Sequence, residues 1–125
     1  MSGWIGVDLD GTLAHYDGWR GSDHVGDPVP IMLARVKAWL IIGRQVKIFT
    51  ARVSGDDAEA ARTVIQNWCE ANGLPRLEVV CTKDFAMSKL WDDRAVQVET
   101  NTGIPITGPT HQSEFGPLAA QTDQT

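Results

Sequence analysis

Apolar residues gather along this chain in short segments, separated by stretches with a different rhythm. Residues 4–7, Gln45–Phe49, residues 77–81 and a brief run ending at Leu90-Trp91 are read as buried parallel strands, of the kind that show continuous rather than alternating apolarity when both faces are covered. Residues 95–98 offer a fifth strand at an edge. Between these runs the spacing is helical. Residues 29–42 put Met32, Leu33, Val36, Trp39 and Leu40 on one face, with Asp27-Pro28 as cap and first-turn proline and Gly43 as the stop. Residues 56–72 turn Ala61, Val64, Ile65 and Trp68 inward. Asp56, Asp57 and Glu59 lie in that helix's first turn, where the dipole favours negative charge, and Gly73 and Pro75 end it. Strand and helix in alternation predict right-handed crossovers and a layered α/β sandwich.

Two regions lack this rhythm. Residues 15–26 are rich in glycine and aspartate and read as a loop. Residues 101–125, dominated by Thr, Pro, Gly and Gln, read as a peripheral, partly disordered tail after a single domain of residues 1–100. A length of 125 residues suits one domain with a true core. The net charge of −5 argues against a nonspecific grip on nucleic acid or anionic membrane. Cys69 and Cys81 have neither metal-ligand nor disulfide-framework spacing, so they read as free thiols in a reducing compartment. No secretory signal is expected, and the longest apolar run, residues 38–42, is far too short to span a bilayer. A soluble cytoplasmic protein is expected.

Ligands of an open parallel sheet bind beyond the carboxyl ends of its strands. The first run ends at Asp8, with Asp10 just beyond it in Asp8-Leu9-Asp10-Gly11-Thr12. Acids this close repel unless a cation or a shared proton intervenes. A plain Asp-Gly turn after a strand is the simpler alternative. The second run ends at Thr50, followed by Ala51-Arg52; the third leads to Thr82-Lys83-Asp84; the fourth ends at Asp92-Asp93-Arg94. Every strand therefore delivers polar or charged groups to one rim. Carboxylates and a hydroxyl, without clustered His or Cys, form a hard oxygen site that suits Mg2+. Lys83 and Arg52 add positive charge for phosphate oxygens. Acids for a metal and bases for an anion describe phosphoryl transfer.

On these residues the chain resembles the haloacid dehalogenase-like superfamily (HAD), in its phosphatase branch. The Asp-x-Asp-Gly-Thr motif is matched by Asp8 to Thr12, the Thr at the end of the next strand by Thr50, the lysine by Lys83, and the acidic pair by Asp92-Asp93. The resemblance implies a three-layer α/β/α sandwich with a mostly parallel, Rossmann-like sheet. It makes Asp8 the nucleophile, forming an aspartyl-phosphate, and Asp10 the acid and then the base. Thr50 and Lys83 would hold the transferring phosphoryl group, and Asp8, Asp10 (through its backbone carbonyl), Asp92 and Asp93 would hold Mg2+. Gly11, Thr12 and Arg52 are assigned to substrate binding. Lys89, nearer the acidic pair, is the alternative to Lys83.

Other candidates divide between chemistry and structure. Arg52 is either a substrate ligand or a salt-bridge partner of a neighbouring acid, and Arg94 reads as structural, fixing the orientation of an acid. Trp19, beside Tyr16 in a glycine-rich loop, is either a substrate platform or a packing residue. His15 is expected at the surface. Residues 13–29 and the link after the third strand leave no room for an inserted cap, so an open site without a cap domain is implied. The expected function is a magnesium-dependent phosphomonoester hydrolase acting on a phosphorylated small molecule or macromolecular end. A nucleotide or polynucleotide end phosphatase and a catalytically idle phosphate-binding module are the alternatives. The acidic charge makes nucleic acid the less favoured partner; no membrane partner is expected, and a homo-oligomer could supply a lid.

Overall fold

The four apolar runs form β1 (Trp4–Asp8), β2 (Gln45–Phe49), β3 (Val79–Val80) and β4 (Met87–Trp91) in a computed structural model that describes residues 3–106. All ladders are parallel and the strand order is β3-β2-β1-β4. Helix α1 (Pro30–Ile41) connects β1 to β2, and α2 (Ala58–Ala71) connects β2 to β3. The architecture is α/β with an all-parallel sheet, consistent with a Rossmann-like fold. The strand order reverses between β1 and β4, and in open α/β sheets such a switch point is where ligands bind.

One apolar cluster holds the layers together. Ile5, Val7, Val46, Ile48 and Val79 from the sheet meet Met32 and Val36 of α1 and Ala61, Ile65 and Cys69 of α2. Leu33, Trp39, Leu40 and Trp68 lie at its margin, partly buried. Both helices therefore cover the same face. The link from β3 to β4, residues 81–86, contains no helix. Along β2 burial alternates: Val46 and Ile48 are buried, while Gln45 is exposed and Lys47 and Phe49 are only half-buried. That is the signature of a sheet with one helix-covered face, not two. Among the described residues the architecture thus comprises a sheet and one helical layer. Trp4 is nonetheless buried on the helix-free side. The Lys47 ammonium lies 4.6 Å from its ring centroid, and its indole N–H donates to Asp84 Oδ1 at 2.9 Å.

Several local expectations shift. The cap of α1 is Val29, with no side-chain hydrogen bond, and Pro30 rather than Pro28 occupies the first turn. A proline there forfeits no helical hydrogen bond, since its N–H would be unpaired anyway. Helix α2 starts after Asp57, so of the three acids only Glu59 falls inside its first turn. Strand pairing in 77–81 is confined to Val79–Val80. Residues 95–98 add no strand to the sheet. Val98 instead pairs with Pro105 in a small antiparallel turn, closed by Glu99 N–H to Ile104 O and Ile106 N–H to Gln97 O. Asn101 and Gly103, with φ of 68° and 75°, make that reversal.

The chain divides into two compact units, Met1–Asp93 and Arg94–Thr125. Of the tail expected over residues 101–125, residues 107–125 lie outside the described residues. No helix among the described residues is long and apolar enough to cross a membrane.

Candidate functional site

Asp8 is the last residue of β1, and the chain then makes a tight loop rather than continuing the strand. Leu9 and Leu13 are fully buried, so the loop between them is fastened to the core at both ends. Leu13 N–H donates to Asp8 O and Leu9 O, and Gly11 N–H to Ala14 O. Gly11 has φ of 92°, which disfavours a side chain, and a Cβ there would lie 2.5 Å from Asp93 Oδ2. The missing side chain lets the acid of one strand end approach the loop of the next.

Asp92 and Asp93 follow directly on β4, the neighbour of β1 at the switch point. Carboxylate oxygens of Asp8, Asp92 and Asp93 all lie within 4.8 Å of one another. Thr12 bridges the group. Its Oγ1 lies 3.3 Å from Asp8 Oδ2 and 3.1 Å from Asp93 Oδ1, and it accepts from the Asp93 backbone N–H at 3.0 Å. One hydroxyl proton cannot neutralise two carboxylates. Burial pushes the Asp8 carboxyl up to about 7, helped by its hydrogen-bonded contact with Asp93 and by the charges of Asp92 and Asp93, with the Thr12 hydroxyl acting in the opposite direction.

Thr50 follows β2, whose Phe49 pairs with Asp8. It is 3 % exposed, its N–H donates to Val80 O, and its Oγ1 accepts from Arg52 N–H at 3.2 Å. The hydroxyl proton is left to donate. The 3-10 turn Ala51–Val53 then aims Arg52 back at the first loop. Its Nε and Nη2 donate to Asp10 Oδ2 and Oδ1, both at 2.8 Å, a fork-to-fork pair. The salt-bridge reading of Arg52 is therefore realised, with Asp10 as partner.

Lys83 sits elsewhere. Asp84 and Ala86 bond to Trp4, at the opposite end of β1 from Asp8. Residues 81–86 must return to the amino end of the sheet to enter a parallel β4, and Lys83 lies on that return. It lines a surface hollow of about 750 Å³ with Asp84, Phe85, Met87, Ser88, Lys89 and Leu90. Three of the four strands thus deliver charged or polar groups to the rim, while the third sends Lys83 away from it. Lys89 lies mid-strand in β4, opposite Ile5, and lines the same hollow.

Sequence reasoning missed the linking role of Thr12 and the specific partner of Arg52. A threonine four residues after Asp8 on a glycine turn was a visible signal for the first. The second depended on a crossing between loops distant in sequence. Trp19 is 60 % exposed, with its ring centroid 4.9 Å from the Arg52 guanidinium carbon.

No protein-family model matches this chain, and no curated protein matches it significantly. Its backbone is similar to a solved structure described as that of a conserved protein from Bacteroides thetaiotaomicron. The TM-score is 0.54 at 18% identity, over 99% of this chain and 92% of the other. At that identity the likeness concerns the fold alone.

Proposed function

We propose that this chain is a magnesium-dependent phosphomonoester hydrolase of HAD type, working without a cap domain through an aspartyl-phosphate. The observation that supports it is the meeting of Asp8 with Asp92 and Asp93 at the β1/β4 switch point, with ligand oxygens within 4.8 Å. The donor set fits Mg2+: all the ligands are hard oxygens, and the Asp8 carboxyl, raised first by burial and then by the neighbouring acids, is one that a cation would return to its ionised form. Asp8, Asp92, Asp93 and the Asp10 carbonyl would hold it. When bound, it supplies charge neutralisation for the phosphoryl oxygens and keeps Asp8 ionised.

The chain's own groups do the rest. Asp8 attacks phosphorus, and the ester oxygen leaves with a proton that Asp10 carries once one of its oxygens is released from the Arg52 fork. Asp10 then takes a proton from the water that hydrolyses the aspartyl-phosphate. Thr50 donates its hydroxyl to the transferring group, and Thr12 keeps the Asp8 and Asp93 carboxylates in register. The complete three-layer sandwich of that superfamily and a cytoplasmic location belong to the same proposal. The test is phosphate release from a panel of phosphorylated metabolites, phosphopeptides and oligonucleotides, with and without Mg2+. Release that requires Mg2+ and vanishes in Asp8→Asn is expected; no such release from any panel member would overturn the reading.

A further inference from the structure

The Arg52 side chain is only 7 % exposed, and Asp10 engages two of its three nitrogens. The third, Nη1, is buried without a hydrogen-bond partner among the described residues. Buried guanidinium donors are rarely left unused, because solvent no longer satisfies them. The Trp19 ring lies over this guanidinium while most of the indole remains in solvent. The loop that carries Trp19 is tightly fastened at its base. His15 N–H donates to Asp27 O, Ala14 pairs with Pro28, and Gly26 lies against the His15 carbonyl so closely that no Cβ would fit. Its tip is different, since Gly18 has φ of 135° and open space where a Cβ would be. The side-chain tie across the tip is the solvent-exposed Arg20–Asp17 ion pair, so Trp19 is held by surface contacts and not by the core.

We propose that Arg52 and Trp19 form an oxyanion subsite for the part of the substrate that is not transferred. Nη1 binds a carboxylate or a second phosphate on the leaving group, and Trp19 closes over the contact. The leaving-group side follows from Asp10, which Arg52 holds and to which the proposed reaction assigns the leaving group's proton; in that respect the subsite rests on the proposed function. A guanidinium fork can hold one carboxylate and offer its remaining N–H pair to another oxyanion, which an ammonium cannot do with the same geometry. Aromatic cover excludes water and strengthens the contact. Preferred substrates are accordingly phosphoesters whose leaving group carries a second anion.

The test uses hydrolysis-resistant phosphonates and the full chain in Mg2+, with binding read by calorimetry. Propylphosphonate has a neutral tail, phosphonopropionate a carboxylate, and propylene bisphosphonate a second phosphate-like group. Wild type should bind at least one anionic ligand about tenfold or more tightly than the neutral one, the scale of a charged hydrogen bond. Which of the two it prefers identifies the source of the oxyanion. Arg52→Gln should erase the preference, and Arg52→Lys should not restore it. Trp19→Ala, at an exposed position, should keep the fold by circular dichroism and lower the preference several-fold. No preference in wild type, or a preference unchanged in either folded Arg52→Gln or Trp19→Ala, would overturn the subsite. A retained preference without any turnover would remove the hydrolase reading and leave the subsite standing; turnover without the preference would do the reverse.

Discussion

Asp8 carries opposing demands. A carboxylate that is partly buried, and set among other carboxylates, is costly to ionise, yet only its ionised form can attack phosphorus or hold a cation. In metal-free protein its carboxyl is raised from 3.8 to about 7, so between those values the folded state binds more protons than the unfolded state. This group's contribution to stability is therefore fully present below about pH 4 and is lost as pH rises through 7. With chelator, wild type should melt progressively lower from pH 4 to pH 8. Asp8→Asn should remove that part of the decline, melting above wild type at pH 8 and near it at pH 4. Identical pH profiles for the two proteins would contradict the placement of Asp8 among the acids. Thr12→Val makes a second case. It keeps the shape but removes the hydroxyl between Asp8 and Asp93. A drop in Mg2+ affinity on the order of 10–100-fold is expected by calorimetry, the usual cost of losing a group that orients metal ligands.

At the scale of elements, the loop fastenings matter as much as the helices. Gly26 permits two backbone segments to touch, so Gly26→Ala must push the His15 carbonyl away or break the His15–Asp27 bond. The expected result is a loss of about 1–3 kcal/mol in denaturant unfolding, together with faster proteolysis in the loop carrying Trp19. Helix α2 is held chiefly by its buried stripe of Ala61, Ile65 and Cys69. Ile65→Ala should cost about 2–5 kcal/mol in the same measurement, because a wholly buried side chain leaves a cavity. Val64→Ala, half-buried one residue away, should cost clearly less.

For the whole molecule, the acidic rim predicts that cation binding and folding are coupled. A ligand that binds only the folded state at 100 times its dissociation constant stabilises it by about 2.7 kcal/mol. Magnesium should therefore raise the melting temperature of wild type at pH 8, and chelator should reverse the effect. Asp92→Ala should flatten the response, since it removes one of the three converging carboxylates. A magnesium shift preserved in that variant would place the cation elsewhere.

The strands, both helices and the three polar strand ends at Asp8, Thr50 and Asp92 were legible without coordinates, because apolar runs, helical spacing and punctuation by glycine and proline are local signals. Helix faces were legible for the same reason: Met32, Val36, Ala61 and Ile65 are buried as their spacing requires. Other features depended on how the chain returns through space. A continuous run such as residues 4–7 implies cover on both faces but does not identify that cover; for Trp4 it is Lys47 and Asp84 rather than a helix. Whether Lys83 joins the rim depends on the path from β3 to β4, and a parallel entry into β4 draws it toward the far end of the sheet. The pairing of Arg52 with Asp10, the Thr12 bridge and the cover of Trp19 are likewise contacts between side chains from separate segments. Local pattern dictates which surfaces must be buried and which residues reach a strand end. Which of those residues touch is decided only when the sheet closes its ladder order and its loops cross.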